Sequence, residues 1–388
     1  MHARVPERRN LLGTQDSGRA EAVRRYRSGV LRGCRRVGWR GGSRPGRPRP
    51  SDDRRSGEEV SDATDFECDL IIVGAGPAGL YGAYYAGFRG LTVIVIDALP
   101  HPGGQLAALY PEKKIFDVAG FPAIKAQHLV DALVEQAEQA KPTYLMGHVA
   151  TELEESEESV RITTDKGVTV VGKAVLVAAG IGKFTPRPLP AGSEFHDRGL
   201  RYFVPRLNEL AGEHVMIVGG GDSAVDWALS LEPIAKSVVL VHRRNEFRAH
   251  AHSLGLLERS SVDVLTPYEV EEIAGSDAVE SVTIVDGAGT ERRRLEVSSV
   301  VAALGFKAAL GPIGTWGLDK HQRDIAVDRT MRTNRRRVFA VGDVAGHQDK
   351  VKLIAVGFAE AATAVNHIAP LIDGSAPVTP GHSSDSIH

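Results

Sequence analysis

Two cysteines in 388 residues, Cys34 and Cys68, are too few and too far apart for a disulfide framework or a structural zinc site. They form no C-x-x-C either, so no redox-active dithiol is expected and a reducing compartment fits. There is no run of 18 or more apolar residues, hence no continuous stretch to cross a bilayer. The N-terminus has no apolar h-region, so no secretory signal is expected. These absences point to a cytoplasmic chain with no membrane partner. Lysine is missing from residues 1–60, which hold 16 arginines against 7 acids, a net of +9. The other 328 residues therefore carry about −11 of the total of −2. That first segment contains RGGSRPGRPRP and almost no apolar periodicity, so it is expected to form no core. Residues 1–66 are read as a disordered leader, or as a start placed too far upstream. A basic arm for nucleic acid and an Arg-rich transit peptide are the other readings, and nucleic acid is not expected as a partner of the folded part.

Beyond the leader the composition changes. With 42% hydrophobic residues, the chain can bury two ordinary cores. The stretch CDLIIVGAGPAGLYGAYYAGFRGLTVIVID, from Cys68 to Asp97, reads as a buried strand, a glycine turn, a helix and a second strand. Gly74, Gly76 and Gly79 form G-x-G-x-x-G. In that pattern the first glycine makes the turn, the second lets backbone approach a pyrophosphate, and the third packs helix on strand. Phosphates would sit on the helix N-terminus, where unpaired N–H groups favour anions. Asp97, 23 residues after Gly74, is placed to hold ribose hydroxyls.

A second copy begins at Val215. VMIVGGGDSAVDWALSL carries Gly219, Gly221 and Ala224 as G-x-G-x-x-A. The same 23 residues counted from Gly219 reach His242, followed by Arg243 and Arg244. A carboxylate would repel a 2′-phosphate, whereas guanidinium groups bind one bidentately. The first site therefore suits FAD and the second NADPH. Arg248 is a weaker third cation, and His250 and His252 are read as loop histidines. KAVLVAAGIG (173–182) and SSVVAALGF (298–306) look like outward and return crossings between an outer and an inserted unit. VFAVGD then delivers Asp343 just before a helix start.

GAGPAGL, GGQLAALYPEKKIFDVAGFP, GGGDSAVDW, HRRNEFRAH and VFAVGD, in this order and spacing, resemble the thioredoxin-reductase-like class (type 2) of ferredoxin–NADP reductases. The match runs from about Cys68 to the C-terminal PGHSSDSIH. The resemblance implies an α/β fold of two nested Rossmann-like, two-dinucleotide-binding flavoprotein domains, with the NADPH domain inserted in a discontinuous FAD domain. The expected boundaries are 67–183 and 305–388 for the FAD domain and 184–304 for the NADPH domain. It also implies a homodimer that passes electrons between NADPH and ferredoxin or flavodoxin: hydride to flavin N5, then single electrons to the acceptor. By the same resemblance, Gln105 lies near the flavin or its ribityl chain and Tyr110 stacks on one isoalloxazine face. Ala150 meets the adenine through its backbone, Phe184 touches the flavin, and Asp343 lies on the phosphate or ribityl side. His382 to Ser384 resemble a tail segment that covers the other flavin face, Ser384 being the stronger candidate. The family usually has Glu where Asp97 stands, so the shorter arm weakens one hydroxyl contact.

Thioredoxin reductase is the nearest rival pattern, but it needs a C-x-x-C before the second glycine turn. Here RYFVPRLNELAGEHVMIVGGG contains no cysteine. A thiol–disulfide or small-molecule NADPH reductase working through Cys68, and a nucleotide-sensing scaffold, are the alternatives. Hydride transfer between two cofactors asks the protein for orientation and exclusion of water, so no catalytic acid, base or nucleophile and no metal ligand is assigned. Docking of an acidic acceptor protein needs a local basic patch. Lys113 with Lys114, Arg332 with Arg335 to Arg337, and Lys350 with Lys352 are its candidates. Hinges for movement of the inserted unit are expected near Gly182–Lys183 and Leu304–Gly305.

Overall fold

The computed structural model describes residues 65–380. The expectations for the arginine-rich leader and for His382 and Ser384 lie outside the described residues. Strand β1, Leu70–Val73, is four apolar residues buried on both faces, the pattern of a central strand in a doubly covered parallel sheet. Helix α1, Pro77–Phe88, starts directly from Gly76 with proline in its first turn, where a missing N–H costs nothing. Strand β2 is Val93–Asp97, followed by helix α2, Gly104–Leu109, and helix α3, Ala126–Glu138. Strand β3, Thr143–Met146, leads into an antiparallel meander of residues 150–172, and strand β4, Ala174–Val177, returns to the sheet.

Strand β5, Lys183–Pro186, then carries the chain out of this unit. The second unit contains β6 (Leu200–Arg201), β7 (His214–Val218), helix α4 (Asp222–Leu231), β8 (Ser237–Val241), helix α5 (Ala251–Leu257) and β9 (Asp263–Leu265). A three-stranded meander over 268–296 precedes β10, Ser299–Ala302. Strand β11, Phe306–Ala309, brings the chain back, and β12, Val338–Ala340, and helix α6, Ile354–Ile372, complete the first unit.

The two units share a sheet plan and differ at one edge, where the outer strand comes last in the first unit and first in the second. The first sheet is ordered β12-β4-β1-β2-β3 and the second β6-β10-β7-β8-β9, with every neighbour parallel. In each, the chain steps from the central strand to one side through two strands and then crosses to the other side. The crossover leaves a crevice at the carboxyl ends of β1 and β4, and again at β7 and β10, which is where such sheets bind ligands. Strands β5 and β11 pair antiparallel, Lys183 opposite Ala309 and Pro186 opposite Phe306, so exit and return run side by side. The nested architecture expected from the resemblance is the observed one.

Apolar clusters cover both faces of each sheet. Each fully buried Ile or Leu of β1 and β2 contributes about 1.5–3 kcal/mol relative to exposure. Helix α6 is long and apolar enough to cross a membrane by length and composition, although Glu360, Thr363, Asn366 and His367 break its apolar run. In the structure Ala361, Ala364, Val365 and Ile368 of α6 are fully buried in the core beside α1 and the sheet, so it serves as a core helix.

Candidate dinucleotide-binding sites

Both glycine turns lie in the switch-point crevices and are built alike. A Cβ on Gly74 would lie 2.4 Å from the carbonyl oxygen of Ala178, the residue after β4. One on Gly219 would lie 2.4 Å from that of Ala303, the residue after β10. A Cβ on Gly79 would sit 1.9 Å from the Gly74 oxygen, while Ala224 fills the equivalent place in the second turn, fully buried. The middle glycines differ from these. A Cβ on Gly76 or Gly221 would meet no atom within 4 Å. Glycine is therefore needed for protein packing at the first and third positions of the first turn. At Gly76 and Gly221 no described residue requires it, and the open space lies against a helix N-terminus, which suits a bound phosphate.

The residue 23 positions after each first glycine faces its turn, with opposite chemistry. Asp97 accepts hydrogen bonds from the N–H groups of Ala75 at 2.6 Å and Leu99 at 2.8 Å. Burial pushes its carboxyl up, and these two N–H groups oppose that shift. His242 instead lays its ring over Gly220, where a Cβ would come within 2.3 Å of ring atoms. Its Nε2 stands 3.2 Å from the Glu246 carbonyl and its ring packs 5.1 Å from Phe247. The Arg248 N–H closes the loop onto the Gly220 carbonyl at 2.7 Å. Burial holds the His242 imidazole below its ordinary value, and Arg243, Arg244 and Arg248 depress it further against the opposing bond to Glu246. All three arginines are exposed, and none is paired with a carboxylate among the described residues. His250 stands at the start of α5 with its backbone N–H on Asp222 at 2.8 Å, and His252, expected in a loop, lies inside that helix because the apolar Leu254 and Leu257 carry the helix across this stretch.

The structure draws most of the other candidates of the first site together. The Gly103 N–H bonds to Ala75 O at 2.8 Å, and a Cβ on Gly104 would be 3.0 Å from the Gly76 Cα. That places Gln105 beside the open space, with its amide 3.4 Å from a Cβ built on Gly180. Gly342, next to Asp343, approaches Ala78 in the first turn of α1. Burial is the main force raising the Asp343 carboxyl, opposed by Lys352 and Lys350. Ala150 is 5% exposed and opens the meander two residues after His148, whose N–H bonds to Asp97 O. Phe184 lies on the exit crossing, opposite Ala308.

Tyr110 has neighbours that the sequence did not indicate. Its ring packs 6.1 Å from that of Trp227 on α4, in the second unit, with the Lys113 ammonium 5.5 Å from its centroid. Lys113 pairs with Asp226 at 2.8 Å, and Glu112 accepts the Leu207 N–H at 2.8 Å. The LYPEK segment thus clasps the inserted unit. Most basic docking candidates prove to be engaged inside the molecule. Lys113 is held by Asp226, the Lys350 side chain is 6% exposed and paired with Glu360, and Lys352 pairs with Asp324. Arg337 is buried on the carbonyls of Glu157 and Lys173, Arg335 faces Glu155, and Arg332 lies over Phe339. Only Lys114 and Arg336 of that set are exposed without a carboxylate partner among the described residues. Sequence spacing cannot show such pairings, because the partners lie up to 180 residues away.

Cys68, partly buried, packs against the cluster on one face of the first sheet.

Comparison with known proteins agrees with this geometry. Residues 68–366 match the model of the pyridine nucleotide-disulphide oxidoreductase family. A ferredoxin–NADP reductase of Nocardioides sp. is 55% identical over 325 residues, covering 82% of this chain and 98% of the relative. One of Frankia alni is 55% identical over 315 residues, covering 81% and 98%. Among solved structures, Lactococcus lactis thioredoxin reductase in its FR conformation superposes with a TM-score of 0.68 at 24% identity, covering 79% of this chain and 99% of that one; it supports the fold alone. With two dinucleotide crevices, no dithiol before the second turn, and relatives matched over nearly their whole length, the chain belongs to the ferredoxin–NADP reductases of the pyridine nucleotide-disulphide oxidoreductase family.

Proposed function

We propose that the protein is an FAD-dependent enzyme that transfers electrons between NADPH and ferredoxin or flavodoxin. The observation that carries this reading is the duplicated crevice with opposite chemistry at one ruler position, Asp97 in the first and His242-Arg243-Arg244 in the second. FAD belongs to the first turn: the open space at Gly76 admits a pyrophosphate, Asp97 takes the ribose, and Gln105 and Asp343 flank the remainder. Ala150, Tyr110, Phe184 and Ser384 complete that assignment. NADPH belongs to the second, with Gly219, Gly221 and Ala224 shaping the turn and Arg243 and Arg244 on the 2′-phosphate. Bound FAD supplies the conversion between a two-electron donor and one-electron acceptors. The chain's own residues bind, orient and exclude water, and no side chain need move a proton. Cys68 packs on the core, which favours direct electron exit from the flavin over a thiol route.

The outer unit comprises 67–183 and 305–388 and the inserted one 184–304. Movement of the inserted unit gates access to the flavin, with Gly182 (φ +74°) and Gly305 (φ +80°) as hinges at the crossings. A cytoplasmic homodimer without membrane or nucleic-acid partners completes the proposal. The test is anaerobic stopped-flow reduction of the purified protein by NADPH and by NADH, followed by ferredoxin. Fast flavin bleaching by NADPH alone and reoxidation by ferredoxin are expected. Arg243→Ala should weaken NADPH binding about ten- to a hundredfold and leave the slow NADH reaction unchanged. Equal bleaching by both nucleotides would remove the arginine assignment, and bleaching without ferredoxin turnover would remove the acceptor.

A further inference from the structure

Behind the Asp343 turn lies a buried ion pair to which the dinucleotide reading assigns no task. Glu360, within helix α6, is 5% exposed. Its Oε2 accepts the Gly342 N–H at 2.8 Å, and its Oε1 binds the ammonium of Lys350. That ammonium also donates to the Gly342 carbonyl at 3.0 Å, and His347 Nε2 stands 3.4 Å from the same Oε1. The Glu360 and Lys350 side chains are each 6% exposed. Gly342 has φ +71°, and a Cβ on it would approach Ala78 Cβ to 3.2 Å in the first turn of α1. A Cβ on Gly357 of α6 would lie 3.4 Å from the same Ala78 Cβ. The glycine-turn helix, the Gly342–Asp343 turn and α6 therefore meet at one point.

A buried ion pair is a poor way to hold a helix, because a well-packed apolar pair of similar volume does as well or better. This pair provides something an apolar pair cannot: bonds to the peptide groups on both sides of one glycine. With its N–H on Glu360 and its carbonyl on Lys350, Gly342 has little freedom left, and the direction of Asp343 follows from it. The pair is also neutral as a unit, which matters beside a crevice meant for phosphates, where a lone buried carboxylate would repel them.

We propose that Glu360 and Lys350 are positioning residues for the flavin cofactor, clamping Gly342 so that Asp343 is held toward the FAD in the first crevice. This rests on the reading that FAD occupies that crevice. The experiment measures the FAD dissociation constant and the visible circular dichroism of the bound flavin. Lys350→Met takes the ammonium from both Glu360 and the Gly342 carbonyl, leaving Glu360 the Gly342 N–H and the His347 ring, and should raise the dissociation constant at least about tenfold and alter the flavin dichroism. Lys350→Arg should restore both toward wild type. Should Lys350→Met fail to fold, the double variant Lys350→Met/Glu360→Gln leaves no unpaired charge. It should fold with a Tm above that of Lys350→Met yet keep the altered dichroism, because the Gly342 carbonyl has lost its donor. Wild-type affinity and dichroism in either folded variant would overturn the proposal and leave the FAD reading standing. A wild-type chain that takes up no FAD would overturn both.

Discussion

Single glycines in the first turn do different jobs, and a methyl group separates them. A Cβ on Gly79 would overlap the Gly74 carbonyl at 1.9 Å, whereas one on Gly76 would meet nothing. Gly76→Ala should therefore change the stability of the flavin-free protein by no more than about 1 kcal/mol, yet weaken FAD at least about tenfold. Gly79→Ala should instead lower Tm before any cofactor is added, and thermal melts with and without FAD tell the two apart. His242 offers a second test. Its ring is held neutral, below the ordinary histidine value, so the unfolded chain binds the proton more readily than the folded one. The stability this confers is complete above about pH 6.5 and is lost as pH falls through the lowered folded value. Denaturant titrations at falling pH should show wild type losing more stability than His242→Gln, whose side chain does not titrate. Equal losses would mean the ring is not held neutral.

At the scale of elements, the LYPEK segment, proposed above to reach the flavin, is also a clasp on the inserted unit. Tyr110 on Trp227, Lys113 on Asp226 and Glu112 on the Leu207 N–H join it to the inserted unit. Lys113 is about a third exposed, and such pairs contribute about 1 kcal/mol or less. They bias an arrangement without locking it. Lys113→Glu places like charges together and should favour separation, seen as a red shift of the fluorescence of Trp227, which is only 7% exposed. An unshifted spectrum would mean that the aromatic contact alone sets the docking. Helix α6 shows how an element mixes tasks: a small-residue face packs on α1, while Glu360 reaches under the neighbouring turn.

For the whole molecule, the antiparallel pairing of the two crossings makes the inserted unit separable in principle. Pro186 stands opposite Phe306, so a two-residue Asn-Gly turn can join them as a hairpin. A chain with residues 187–305 replaced by that turn should fold and bind FAD, and NADPH should no longer bleach it. Failure to fold would show that the outer unit needs the insertion, through contacts such as the clasp at Tyr110.

How much of this was legible beforehand follows from the range of the forces involved. The two glycine turns, their strands and the residue 23 positions on are local patterns set by backbone sterics and by apolar runs, so the places of Gly74, Asp97, Gly219 and His242 in the fold follow directly from the chain. The departure from carboxylate to cations was legible for the same reason. Pairings between distant residues were not. The clasp of Lys113 on Asp226, the engagement of Lys350 and Arg337, and the His242 ring over Gly220 depend on which surfaces the fold brings together. Glu360 did leave a signal, a lone acid in an apolar helix, but its partners Gly342 and Lys350 lie 18 and 10 residues before it, outside the helix, where periodicity gives no pairing. Covalent neighbourhood and periodicity settle which elements form and where phosphates can sit. Only the packed structure decides which charges remain free to meet a partner, because burial and pairing are properties of neighbours in space.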